Sequence, residues 1–509
     1  MAGQSIDRFR LACGIPLGWN MDQPIHGVGA APVRIGALRS LDQVDGPRGV
    51  PLLGNALQFA PTRMHSAFEG WQRQYGDLYR LRLGPQTALV LSDAAAIASI
   101  LRDRPETWRR WHVIESITSE SGIDGVFSVE GDAWRRQRRL VMQAFDPAHL
   151  KRFFPSLVRV TERLLARWQR AARSDVAIDL QADLMRYTVD VTAGLAFGSD
   201  VNTLELQRDV IQDHLDKVFP MVQRRMNAPF PWWRYMRLPS DRAYDRHLRK
   251  IHDAIRGFIA DARRRIEHEP SLRTTPSNLL EAMIVAHDAD SGALSDRELA
   301  GNVFTILLAG EDTTANTLAW AMYLLFENPG AWRRVVAEAD AALGAHRVPN
   351  RFEDLGGFEF TQACLDEAMR LRPVAPVLGL EPNRDVDLLD VRVPARTPVF
   401  CLMRPAAVDA RSFEAPLDFQ PQRWLGAVDA GAGAKSARRA AMPFGAGPRL
   451  CPGRYLALCE MKMVLAMVAR NFTLSSVGTG DGREPPERMT FTMAPVGLRM
   501  RLGARQAEA

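Results

Sequence analysis

Apolar residues change their period several times along this chain. Leu78-Tyr79-Arg80-Leu81-Arg82-Leu83 alternates at every second position and Thr87-Ala88-Leu89-Val90-Leu91 is strand-like, so two strands are expected there. From about residue 134 to 343 the spacing turns mostly helical, broken at 228–239 by a loop dense in proline and aromatics. A long apolar helix is expected over 295–326, and another over 361–371, stopped by Pro373. Residues 383–400 return to short strands, 425–441 form a Gly/Ala-rich loop, and a last helix covers 452–470. The tail, 490–493 with 498–502, reads as a hairpin. The turn-rich Gly46-Pro47-Arg48-Gly49-Val50-Pro51 ends a loose N-terminal extension, residues 1–45. Without repeats or a linker, 46–505 is expected to be one mainly α domain with small β-sheets.

Charge narrows the partners. The net charge is +6, and only five of the 65 basic residues are lysine, so the positive charge is almost all guanidinium, suited to fixed carboxylate pairing. No basic stripe with interleaved aromatics appears, so no nucleic-acid partner is expected. The five cysteines are sparse and lack paired spacing, which argues for a reducing compartment and a cytoplasmic protein. Residues 1–45 hold no apolar run near the ~20 needed to cross a bilayer, and no secretory signal, so no membrane anchor is expected.

The chemistry concentrates around one cysteine. Pro443-Phe444-Gly445-Ala446-Gly447-Pro448-Arg449-Leu450-Cys451-Pro452-Gly453-Arg454 describes a tight loop whose backbone must approach something large and flat. A helix starts just after Cys451, and its free N–H groups and dipole favour a thiolate over a thiol. By itself, the pattern also suits a buried structural cysteine in a glycine-rich turn. A thiolate axial ligand would push electron density onto haem iron and favour O–O cleavage. Arg449 can then neutralise a haem propionate, and Phe444 can cover the thiolate side of the ring.

This segment resembles the ligand loop of the cytochrome P450 family, F-x-x-G-x-R-x-C-x-G, at every fixed position. The resemblance extends over roughly 46–502 and implies that family's fold, with haem b lying between an oxygen-activation helix and the cysteine loop. It implies Cys451 as iron ligand, with Phe444, Arg449 and Gly453 at the haem. It also implies that Trp134 and Arg138, one helical turn apart, donate to a propionate. Glu367-Ala368-Met369-Arg370 and Arg423 resemble the family's structural lock; alone, Glu-x-x-Arg is a common surface pair.

Ala309-Gly310-Glu311-Asp312-Thr313-Thr314 interrupts the long apolar helix with a glycine and an acid beside two hydroxyls. Gly310 costs about 1 kcal/mol against alanine there, and such defects mark function. A small residue would let a diatomic ligand approach, while acid and hydroxyl relay protons. The segment matches the family's A-G-x-[DE]-T-T pattern, which makes Asp312 the acid of the relay and Thr313 its hydroxyl. Many relatives place a propionate-binding cation just after the sequence corresponding to Pro376. Here that stretch is Val377-Leu378-Gly379-Leu380-Glu381-Pro382-Asn383-Arg384, and Arg384 is not assigned to the site.

The expectation is a monomeric monooxygenase that hydroxylates or epoxidises an apolar small molecule. Residues 113–129, 304–309, 374–380 and 492–494 are expected to line its pocket. Only 58 residues follow Cys451, so electrons are expected from a separate ferredoxin or flavodoxin with its reductase, steered by Arg136, Arg139, Arg438, Arg439 and Arg454. The alternatives are a different haem oxidation, such as coupling or desaturation, and a non-catalytic haem sensor or carrier. A carrier needs no proton relay, which the Asp312–Thr313 pair would supply.

Overall fold

A computed structural model of the chain describes residues 38–505 apart from 146, 207–209, 227, 229, 290–294 and 427–439. The alternating runs form β1 (Leu78–Leu83) and β2 (Gln86–Leu91), an antiparallel hairpin in which Leu83 faces Gln86. Next come β3 (Trp108–Arg110), α1 (His112–Glu120), α2 (Gly131–Ala144), α3 (Pro147–Arg173) and α4 (Leu180–Phe197). Asp179 caps α4 by accepting from the Ala182 N–H at 3.2 Å, and Gly198 stops it in a left-handed turn at φ 65°. α5 (Val210–Met226) and α6 (Pro239–His268) flank the Pro/Trp-rich segment, where Trp232–Arg234 makes a single 3-10 turn.

α7 (Asp296–Glu327) is the long apolar helix. Ser295 accepts from the Glu298 N–H at 3.2 Å while the Glu298 carboxylate accepts from the Ser295 N–H at 2.7 Å, a reciprocal cap that fixes the start. Its side chains are buried almost all round, which makes it a core helix rather than a surface one. It packs along α4, and glycine at 310 is set by that contact. A Cβ there would lie 2.5 Å from Thr192 Oγ1, so the small residue serves helix packing as well as the pocket.

α8 (Glu359–Leu371) leads to β4 (Val377–Pro382) and β5 (Val399–Leu402), and α9 (Arg454–Asn471) runs into β6 (Phe472–Gly478). The main sheet has the order β1-β2-β5-β4-β3, with β2 and β5 parallel and its other neighbours antiparallel. β4 was not foreseen from the sequence: a proline at its end and Gly379 within it obscure the strand pattern. The expected C-terminal hairpin is also corrected. β7 (Glu487–Met489) pairs with β8 (Met493–Pro495), whereas β9 (Arg499–Ala504) pairs with β6. Thr490 N–H donates to Thr492 O at 3.0 Å and closes a tighter turn than expected, which frees β9 to bury Met500 and Leu502 elsewhere.

The chain is already part of the body before residue 46. Arg39 exchanges backbone hydrogen bonds with Asp390 and Arg392, and Val44 is buried. Residues 1–37, most of the Gly/Ala-rich loop, Arg438 and Arg439 lie outside the described residues. No helix among the described residues is long and apolar enough to cross a membrane.

Glu367 and Arg370 are wholly buried and paired through two parallel bonds of 2.8 Å. Arg423 Nε at 3.0 Å, Trp424 Nε1 at 2.8 Å and the Gln420 N–H at 2.9 Å donate to the same carboxylate. Arg370 in turn donates to the carbonyls of Ala407, Pro416 and Asp418. A carboxylate with five donors ties α8 to the chain approaching the cysteine loop. Glu367→Gln leaves Arg370 buried without its countercharge, so chemical denaturation should show a loss of about 3–5 kcal/mol.

Candidate functional site

The cysteine loop is held by its own backbone. Gly445 and Gly447 take positive φ, 75° and 68°, and a Cβ on Gly447 would lie 2.4 Å from Leu101 O, so the turn can pack only with glycine there. Cys451 N–H closes the loop by donating to Phe444 O at 3.0 Å. Arg138 on α2 donates to Leu450 O at 2.5 Å and props the turn.

Of the four described cysteines, Cys364, Cys401 and Cys459 are buried, and Cys451 alone is accessible. Its exposed surface belongs to the wall of an internal cavity of about 790 Å³. Burial pushes its thiol upward, while the Gly453 and Arg454 N–H groups and the charges of Arg138 and Arg454 pull the other way. Those donors at the start of α9 are placed to hold a thiolate.

Phe444, Arg449 and Trp134 line the same cavity, and the Arg449 guanidinium lies 4.5 Å above the Trp134 ring. Arg449 donates to Val129 O at 2.8 Å and pairs with Glu130. Arg104 reaches Glu130 at 3.8 Å, and the Arg110 N–H donates to it at 3.0 Å. Glu130 is thus shared by three arginines, and Glu115 adds a more remote negative charge near Arg449. Arg104 Nε and Nη2, Arg110 Nε, and Arg449 Nε and Nη1 are buried without hydrogen-bond partners. Burial and the charges of Arg104 and Arg138, opposed by Glu130, bring the Arg449 guanidinium down to about 9. Burial, Arg104 and Arg449 also lower Arg110. Such a cluster is built for a ligand carrying two negative charges.

The expected pocket segments mostly converge on this cavity. It is lined from α1 and the chain after it, from Thr305 to Thr317 of α7, from 374–380, and by Thr492. Met493 and Ala494 are buried outside it. Thr313 Oγ1 donates to Ala309 O at 2.9 Å, which leaves its lone pairs towards the cavity. Neither Glu311 nor Asp312 lines it. Asp312 is buried on another face of α7, where Thr492 Oγ1 donates to it at 3.5 Å. Asn316 Nδ2 donates to Thr492 at 3.0 Å and Gln181 to Asn316 at 2.7 Å, extending a polar chain behind the helix.

Glu460 on α9 lines the cavity, and burial raises its carboxyl well above the ordinary value. Glu381, standing where relatives carry a cation, is fully buried and accepts from His112 Nδ1 and Arg396 at 2.7 Å. Arg384 is exposed beside Thr107. The further cations at the cavity wall are those of Arg104 and Arg110. Sequence reasoning missed these two, Glu130 and Glu460; only Glu460, nine residues past Cys451 on the helix that follows it, carries a local signal.

The geometry defines a class of site: a cavity between a thiol-bearing loop and a helix with a hydroxyl, whose cationic cluster would suit a flat, doubly acidic prosthetic group. Residues 44–502 match the family described as Cytochrome P450. The chain is 30% identical over 452 residues to cyclooctatin synthase of Streptomyces melanosporofaciens, covering 88% of this chain and 94% of that protein. It is 28% identical over 461 residues to pentalenene oxygenase of Streptomyces avermitilis, covering 90% and 97%. Cyclooctat-9-en-7-ol 5-monooxygenase of S. melanosporofaciens is 29% identical over 434 residues, covering 85% and 89%. The chain belongs to the cytochrome P450 family; it is a monooxygenase of that family and binds haem b.

Arg110→Leu tests the cationic cluster by a sign reversal. The apoprotein should become more stable to heat, having lost an uncompensated buried charge. The haem-loaded protein should release haem to apomyoglobin at least about tenfold faster, roughly 1.4 kcal/mol of lost affinity.

Proposed function

We propose that Cys451, as thiolate, is the axial ligand of a haem whose propionates are held by Arg104, Arg110, Arg449 and Trp134. Arg138 props the loop, and Phe444 and Gly453 shape the thiolate side. The observation that carries the reading is one cavity holding both the accessible sulfur and arginines with unpartnered N–H groups around Glu130. When bound, the haem supplies the activation of dioxygen: one oxygen atom enters the substrate, and the other leaves as water with two electrons and two protons.

The residues around it divide the remaining work. Thr313 presents a hydroxyl to the cavity and, being tied to Ala309 O, presents it as an acceptor. Asp312 serves as the acid of the relay, held behind α7 by the Thr492 hydroxyl, which the Asn316 and Gln181 amides orient. Glu460 places a carboxyl in the cavity wall, where burial favours its protonated form. Glu367, Arg370 and Arg423 lock the surrounding fold and take no part in the chemistry.

The substrate is a largely apolar molecule, hydroxylated or epoxidised in secondary metabolism. The apolar wall supports this, as do similar proteins named for pentalenene and cyclooctatin oxidation. The enzyme works as a cytoplasmic monomer. Its electrons come from a ferredoxin or flavodoxin, which Arg136 and Arg139, exposed on α2 beside the loop, would steer.

A reduced, carbon monoxide-treated sample tests the ligand directly. The wild type should show the far-shifted Soret band of a thiolate ligand, and Cys451→Ala should lose it; an unchanged band in that variant ends the assignment. Thr313→Ala should keep haem content and the band, yet yield at least about tenfold less product per electron pair, in the usual range for a positioned proton-transfer group. Product and peroxide measured together separate this uncoupling from lost binding.

A further inference from the structure

One wall of the cavity carries a polar group that the haem reading does not use. Arg225, in the last turn of α5, has a side chain only 4% exposed and lines the cavity. Its Nη2 donates to Asp241 at 2.9 Å, and Asp241 is itself 2% exposed. The guanidinium lies over the Tyr244 ring at 4.3 Å and over the Trp233 ring at 5.1 Å. Trp233 is pinned in turn, since its Nε1 donates to Glu120 of α1 at 2.8 Å. Arg225 is thus fixed on three sides, yet its Nε–H is buried without a hydrogen-bond partner. Its contacts all lie in the wall built by α5, the 230–236 turn and α6, and none is with the cysteine loop or the Glu130 cluster.

A rigid, dry donor in an apolar wall selects its partner strongly, because a ligand that cannot accept from it leaves it unpaired. The charge count decides what kind of acceptor fits. Asp241 already neutralises Arg225, and Glu120 in the same wall is neutralised by Arg234, so the wall holds no surplus positive charge. A carboxylate ligand would bury a second negative charge beside Asp241; a hydroxyl, ketone or ether oxygen would not.

Resting on the monooxygenase reading above, we propose that Arg225 is a specificity-determining residue that anchors a neutral oxygen atom of the substrate. The natural substrate is then an apolar skeleton already bearing an alcohol, ketone or ether, oxidised at a carbon remote from that oxygen. A preceding hydroxylation, or another reaction leaving a neutral oxygen function on the skeleton, must supply it.

The experiment is a spectral titration of the haem-loaded enzyme with cyclododecane, cyclododecanone and cyclododecanecarboxylate. The wild type should bind the ketone at least tenfold more tightly than the hydrocarbon, with the carboxylate weakest. In the paired variant Arg225→Met with Asp241→Asn, which removes both charges together, ketone and hydrocarbon should agree within twofold while hydrocarbon affinity is kept. Arg225→Lys keeps the pair with Asp241 but loses Nε–H, and should also lose most of the preference. Equal binding in the wild type, a carboxylate that binds best, or a preference that survives in the variants overturns the proposal. Should neither variant fold, the wild-type comparison decides alone. A sample with the thiolate Soret band but no ketone preference fails this inference only, whereas absence of that band fails the haem assignment.

Discussion

Burying a guanidinium costs several kcal/mol unless a countercharge comes with it, and this chain buries three around Glu130 alone. Much of the architecture serves to hold them there. Arg110 is fixed because β3 pairs with β4, and its guanidinium rests 3.9 Å over Phe127. Arg449 is fixed by the cysteine loop and by Val129 O. Glu130 contributes one oxygen to the Arg110 backbone and the other to Arg449, so it orders the cluster without cancelling its charge. The fold stores an electrostatic deficit, and a dianionic ligand resolves it. Ligand affinity and apoprotein stability are therefore opposed by construction at these positions.

The sulfur obeys the same logic with the opposite sign. Cys451 sits within the protein body, where burial disfavours a thiolate, yet it meets the N–H groups at the start of α9 and two nearby arginines. The loop cannot drift from that helix start. Gly447 is wedged against Leu101 on one side, and Arg138 holds Leu450 O on the other. Farther along the chain, the Glu367 carboxylate binds the segment at 420–424. That carboxylate has every donor satisfied, in contrast to the open valences around Glu130. One buried charge group is complete and structural; the other is incomplete and waits for a ligand.

This difference explains what could be read from the sequence. The cysteine loop, the long helix with its Ser295 cap and the Glu367–Arg370 pair were legible because each depends on spacings of a few residues. Arg104, Arg110 and Glu130 were not, because β3 meets β4 only across some 270 residues of chain, Arg109 facing Glu381. Nothing local separates those arginines from the many on the surface. The strand at 377–382 was hidden by the proline and glycine that suit it to a cavity wall. At Gly310 the residue was noticed for pocket access, whereas the tertiary contact with Thr192 gives it a separate packing reason. The facing of Asp312 was equally beyond sequence, since one residue turns a helical side chain by about 100°. Asp312 and Thr313 therefore present their side chains to different surroundings.

That rotation has a consequence for how protons and substrate share the cavity. A carboxylate lining an apolar pocket would be solvated there and would compete with substrate for space. With Asp312 behind α7, only the Thr313 hydroxyl needs to meet the cavity. The polar chain runs from Thr492 at the cavity wall to Asn316 and Gln181, neither of which lines the cavity. Polar groups on the wall include the Arg104, Arg110 and Arg449 guanidiniums, the Arg225 donor, the Thr313 and Thr492 hydroxyls and Glu460. An apolar ligand between them is oriented less by shape than by where these few groups permit an unpaired surface.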